Sequence, residues 1–224
     1  GVSRNVLLLG IVSFFADASS EMVYPIIPLF LMGTLGAPAI AIGVIEGVAE
    51  STASFVKFFS GWLSDRVQRR LPFVFGGYGI AALAKPALAA AYAWPVVLLV
   101  RFADRAGKGI RGAPRDAIIA ASSDGASMGR AFGMHRALDT LGAIVGPLVL
   151  LLLLAVLGDE RYRPIFLIAF VPGAISALLV LVVREPRSPR RQSDAPPGPP
   201  LLSLEGYDPL FLWFLGVTAI FRRV

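Results

Sequence analysis

The sequence predicts an all-α polytopic membrane protein, six spanning helices followed by the start of a seventh, and three observations carry that prediction. Of its 224 residues, 56% are apolar and 16% charged, where soluble domains hold about half and about a quarter. Mean hydropathy is +0.71, which fits a chain whose solvent is lipid. The net charge is +6, but the basic residues fall in short clusters between apolar runs, at Arg66, Arg69 and Arg70 and again from Arg184 to Arg191. Membrane topology produces that distribution; a nucleic-acid surface does not. Cysteine is absent and histidine occurs once, so disulfides, thiol catalysis and a multi-histidine metal site are excluded, and no metal or cofactor is expected.

The first apolar run, Val6 to Met32, is too long for a secretory signal. Arg4, the stretch Val6 to Phe15 and Ala16-Asp17-Ala18 mimic a signal with its cleavage site, but the apolar pattern resumes at Tyr24. Further runs lie at Ala39 to Leu63, Leu71 to Tyr92, Trp94 to Ala121, Arg130 to Leu157 and Ile165 to Val183, each near the roughly 20 residues a bilayer requires. The connections after the first and third runs carry no charge, whereas those after the second, fourth and sixth carry mostly arginine. That alternation places the N-terminus and the basic loops in the cytoplasm. The connection Gly158 to Pro164 has both signs. Residues 1–185 therefore read as a six-helix transmembrane half, and 186–206 as a cytoplasmic Pro/Arg-rich linker, with four prolines between Asp194 and Pro200. Residues 207–224 read as the beginning of a second half, since the run from Pro209 to Phe221 is too short to span.

Ionisable residues inside spans are costly and call for a functional reading. Asp17, Glu50, Asp104 and Arg105 fall roughly 15–17 Å from the span boundaries at about 1.5 Å per residue, with Asp139 at about 13 Å. Steps of three and four residues make faces of them. The first span carries Ser13, Asp17, Ser20, Glu21, Tyr24 and Pro28; the second Glu46, Glu50, Ser54 and Lys57; the fourth Arg101, Asp104, Arg105, Lys108, Arg111 and Arg115. In the fifth, His135 and Asp139 share a face with Gly142 and Gly146. The third span has Lys85 alone and the sixth no charge. Four striped helices and two bare ones describe a water-filled cavity lined by four and backed by two.

Asp17, Glu21, Glu46, Glu50 and Asp139 are the proton-coupling candidates, because lipid burial disfavours a charged carboxyl and a proton carrier uses that property. Tyr24, Arg101, Asp104, Arg105, Lys108 and Arg111 are candidates for contact with a solute. Two plainer readings compete. Lys57, Arg111, Arg115 and Arg136 lie near cytoplasmic ends, where long side chains snorkel. Asp104 and Arg105 can also serve as structural ion pairs.

The connection after the second span, Gly61-Trp62-Leu63-Ser64-Asp65-Arg66-Val67-Gln68-Arg69-Arg70, resembles the loop signature of the major facilitator superfamily, with Gln68 where a glycine is usual. The resemblance implies a cytoplasmic gating role for Gly61, Asp65, Arg66, Arg69 and Arg70. Gly133, Gly142 and Gly146-Pro147 resemble the helix motif of the antiporter branch, with Leu150 and Leu151 in place of its closing glycines. An ordinary small-residue packing seam fits that pattern as well. The stretch Arg101 to Asp116 resembles a subgroup of prokaryotic facilitator permeases, with Arg105 where the family often has glycine. Its Gly107, Gly109, Gly112 and Pro114 favour an irregular backbone beside Lys108 and Arg111. Gly107-Lys108-Gly109 lacks the spacing of a phosphate loop.

The resemblance covers about residues 5 to 221 and implies the N-terminal half of a twelve-helix fold around a midplane site. In that fold spans 1 and 4 line the cavity, 2 and 5 flank the interface and 3 and 6 face lipid. It further implies a non-enzymatic secondary active transporter of the inner membrane, a proton-coupled antiporter for efflux of a small solute. Alternatives are proton-coupled uptake of an anionic metabolite and a non-transporting membrane sensor or partner protein. The expected partners are the lipid bilayer, the solute, protons and the C-terminal half of the same transporter, with no nucleic acid.

Overall fold

The computed structural model describes residues 3–67, 69–158, 161–186, 208, 210 and 213. The chain divides into two units, Gly1–Ser188 and Pro189–Val224. Apart from Pro186, Asp208, Leu210 and Trp213, the linker expected over 186–206 and the partial helix expected over 207–224 lie outside the described residues. Among the described residues the first unit is wholly helical, with no strand.

Helix α1 spans Arg4–Val23, and the Ser3 hydroxyl caps it by accepting from the Val6 amide at 3.4 Å. The same rod continues to Thr34 through a 3-10 turn, Tyr24–Ile26, and a π turn, Phe30–Thr34. Pro25 and Pro28 lack the amide hydrogen that a regular ladder needs, so the pattern changes around them. Leu35 donates to the Phe30 carbonyl at 3.1 Å, and Gly36, at φ 61°, turns the chain out of the rod. The remaining helices are α2 (Ala39–Val67), α3 (Leu71–Ala89), α4 (Trp94–Ala121), α5 (Met128–Leu157) and α6 (Tyr162–Val180).

Five of these six rods are long and apolar enough to cross a membrane. The exception is α4. Its 28 residues would reach about 42 Å, ample for a bilayer, but charges recur on every turn from Arg101 to Asp116. It tolerates them because three point into the bundle, where Arg101, Asp104 and Arg111 are buried.

Packing divides the helices into two triads. α1 packs against α5 and α6, α4 packs against α2 and α3, and the triads meet where α3 lies along α6. The crossings are set by glycine. A Cβ at Gly107 would lie 2.7 Å from the Gly77 carbonyl oxygen of α3, and one at Gly109 would lie 2.7 Å from that of Ala53 in α2. The glycines of α4 therefore serve as contact points along one unbroken helix. The irregular backbone expected beside Lys108 and Arg111 is absent, because tight packing on both flanks offsets the weak helical propensity of these residues.

Two apolar clusters close the ends of the unit. One gathers Ile26, Phe30, Ile45, Val97, Ile165 and Phe166; the other gathers Val6, Leu9, Val12, Val74, Ile118 and Val180. Between them lies a buried polar layer containing Ser13, Lys85, Arg101, Asp104, Arg111 and His135.

Candidate functional site

The polar layer is built around α4, where steps of three and four residues bring Arg101, Asp104, Arg105, Lys108 and Arg111 to one cavity. Arg101 is 4% exposed and reaches α2, where its Nη2 donates to both carboxylate oxygens of Glu46 at 3.0 Å. Asp104 accepts from Lys85 Nζ of α3 at 2.9 Å and faces Arg101 Nη1 at 3.5 Å. Glu46, Arg101, Asp104 and Lys85 thus form one alternating chain of charge across three helices. Lys85, Arg101 and Asp104 are buried, which is costly for each ion singly, and alternation with short contacts is what makes the burial tolerable.

Tyr24, from the turn that ends the regular part of α1, holds its ring 5.1 Å from the Arg101 guanidinium and 5.4 Å from that of Arg105. Aromatic faces attract such cations. Arg111 stacks in the same way over Tyr78 of α3 at 4.3 Å. Three donors in this region have no hydrogen-bond partner among the described residues: Arg101 Nε, Arg105 Nε and Arg111 Nη1. A buried donor left unmade costs about 1–3 kcal/mol, more when it is charged.

Carboxyls approach the cavity from the other triad. Asp17 of α1 faces Asp139 of α5, with Arg111 and Lys108 nearby. Asp139 also accepts from Arg136 at 3.0 Å. Glu21 lines the cavity. Glu50 is exposed on α2, on the side of Lys108.

A second polar knot lies towards the N-terminal end of α1. Ser13 Oγ is 2.9 Å from His135 Nε2, 3.1 Å from the Tyr78 hydroxyl and accepts from Arg115 Nη1 at 3.2 Å. One hydroxyl therefore joins α1, α3, α4 and α5. Arg111 and Arg115 are held inside the bundle by Tyr78, Ser13 and Asp116, so the snorkelling reading fails for both. Lys57 and Arg136 are exposed.

Of the loop signature after α2, Asp65 pairs with Arg70 at 3.2 Å, Arg66 covers the Trp62 ring at 4.3 Å and Gly61 lies against Ala113 of α4. Arg69 is exposed. Glu185, beyond α6, accepts from the amides of Arg70 and Leu71 at 2.8 and 2.9 Å and so caps α3. In α5, Gly142 and Gly146 lie against the carbonyls of Phe14 and Ala18 in α1, and Pro147 sits inside an unbroken helix. A Cβ at Gly133 would meet no described atom within 4 Å.

Lys85 was legible as a lone cation but not as a member of the layer, since the third span was expected to be bare. Its spacing from Tyr78, Ala81 and Ala82 on the buried face of α3 is the signal that finds it. Ser13 and Tyr78 carry no charge, and Glu185 lies past the last span.

A helical bundle with an inward charged layer between two apolar ends defines a multi-pass membrane protein with a polar interior. The family follows from comparison: the model of the Major Facilitator Superfamily matches residues 9–222, and the chain belongs to that superfamily. It is 38% identical over 188 residues to an uncharacterized MFS-type transporter of Methanocaldococcus jannaschii, covering 84% of this chain and 46% of the relative. It is 34% identical over 195 residues to uncharacterized proteins of Mycobacterium bovis and Mycobacterium tuberculosis, covering 86% of this chain and 47% of each relative. The chain thus spans about half the length of these curated relatives, and its six helices correspond to half of the superfamily fold.

Proposed function

We propose that this chain forms the first half of a secondary active transporter of the inner membrane, with its N-terminus in the cytoplasm, moving a small solute by alternating access. The second half, of which 207–224 is the beginning, supplies the opposite wall. The observation that carries this reading is the polar layer, where Asp17 and Asp139 of one triad lie near Lys108 and Arg111 in the wall of a basic cavity that both triads line. A membrane protein keeps such a layer at considerable cost in stability, and solute and ion pathways are where that cost is met.

The coupling ion is the proton, carried by Asp17 with Asp139. Two facing carboxyls can share one proton, and losing it sets two anions side by side. Loading and release then bias the two orientations of the protein, because each tolerates the pair's charge differently. Glu21 and Glu50 lie along the route. The gating loop is held by Asp65, Arg70 and Glu185 on the cytoplasmic side. The likeness of Gly142, Gly146 and Pro147 to the antiporter motif favours efflux. Uptake of an anionic metabolite is the second reading, favoured by the partnerless arginine donors.

The test is flux in proteoliposomes under an imposed pH gradient, with Asp17→Asn and Asp139→Asn made singly and together. The expected outcome is loss of gradient-driven flux with facilitated exchange retained. Gradient-driven flux equal to that of the parent protein in the double variant overturns the proton assignment.

A further inference from the structure

We infer that the cavity beside Arg101, Arg105 and Arg111 takes an oxyanion, the carboxylate or phosphate group of the solute, and that Glu46 occupies its place on Arg101 until the solute arrives. The inference rests on the transport reading for the word solute, but the binding chemistry stands without it.

Charge balance is the first observation. Five basic and two acidic side chains line the cavity. Glu46 on Arg101, and Asp17 and Glu50 on the side of Lys108, offset that excess from outside the lining. The cations stand in the lining itself, so the surface that a solute would touch favours an anion over a cation.

Donor geometry is the second. Arg101 is 4% exposed, with its Nε unpartnered; Arg111 is equally buried, with Nη1 unpartnered; Arg105 Nε is a third such donor. All three residues line the same cavity. Guanidinium groups match the spacing of carboxylate and phosphate oxygens, which supply the acceptors that these donors lack. Tyr24 closes the arrangement by stacking near both Arg101 and Arg105 while 42% exposed itself, so its ring stands where a solute enters.

Glu46 supplies the third observation. Its two oxygens share the single nitrogen Nη2 of Arg101, each at 3.0 Å, instead of forming the two parallel bonds of a fork. Its side chain is 31% exposed, whereas that of Asp104, the other carboxylate on Arg101, is 12% exposed. Asp104 is fixed between Arg101 and Lys85. Glu46, beside Arg101 and Tyr24, is the more exposed carboxylate and the one an incoming anion can displace. The exchange keeps Arg101 partnered throughout, so neither state leaves a bare buried guanidinium.

The experiment is equilibrium binding to purified protein in detergent, with inorganic phosphate, succinate and citrate as probes and neutral succinamide as the comparator. Saturable binding of at least one anion and none of succinamide is expected. Glu46→Gln removes the competitor and is expected to tighten binding about threefold or more. Arg105→Gln is expected to weaken it about tenfold, with Arg105→Lys intermediate; thermal melting of each variant verifies folding. A purely structural Glu46 would leave affinity unchanged or reduce it. The inference is overturned if none of the three anions binds, if succinamide binds as tightly, or if folded Glu46→Gln and Arg105→Gln proteins match the parent. Anion binding without flux would sink the transport reading alone, and flux of a neutral or cationic solute without anion binding would sink this inference alone.

Discussion

Replacing Lys85 with methionine removes the ammonium 2.9 Å from Asp104 Oδ1 and keeps most of the side-chain volume. At an effective dielectric of about 20, two unit charges at that distance attract by about 6 kcal/mol. The desolvation cost of the lysine, several kcal/mol, disappears with it, and Arg101 at 3.5 Å still faces the carboxylate. The net loss should therefore lie near the low end of the range for breaking a buried pair, about 3 kcal/mol. For a unit of this size that corresponds to a fall in melting temperature of about 6–12 °C. Thermal unfolding in detergent, followed by tryptophan fluorescence, reads it directly. Adding Asp104→Asn removes the carboxylate that lost its ammonium, so the double variant should recover part of the loss, a coupling that a double-mutant cycle isolates. A Lys85→Met protein that melts with the parent, or a double variant whose loss is the sum of the two single ones, would refute the ion chain across α3 and α4.

Two further substitutions probe the supports of the layer. Gly146→Val places a Cβ 2.7 Å from the Ala18 carbonyl oxygen and 2.9 Å from Glu21 Cβ, so α1 and α5 must part; the yield of monodisperse protein should fall sharply, whereas Gly133→Val should leave it unchanged. Glu185→Gln removes the charge that caps α3 at Arg70 and Leu71 and should cost about 1 kcal/mol; faster amide hydrogen exchange at residues 70–74, with the rest of the unit unaltered, is the readout.

The number of spans and the face of α4 were legible because charge is rare in this sequence and its spacing repeats. Arg101, Asp104, Arg105, Lys108 and Arg111 could fall on one side only of a helix, and they do. What spacing could not reveal was which charges meet. Lys85 lacks a charged neighbour along its own helix, and its pairing with Asp104 depends on the crossing of α3 and α4 at Gly77 and Gly107. The same holds for Asp17 and Asp139, brought together by the seam at Gly142 and Gly146. The glycines of α4 were legible as residues and misread as breaks, since intrinsic propensity carries no information about a neighbouring helix that fills the gap.

The central claim, a polar layer that opens to each side of the membrane in turn, is tested most directly by accessibility. The chain has no cysteine of its own, so Ser20→Cys places a single thiol in this half at the cavity wall beside Lys85. Reconstituted in vesicles, it should react with a membrane-impermeant maleimide added to either face, with the preferred face reversing when the pH gradient is inverted. Reaction from one face only, under both gradients, would contradict alternating access at this site.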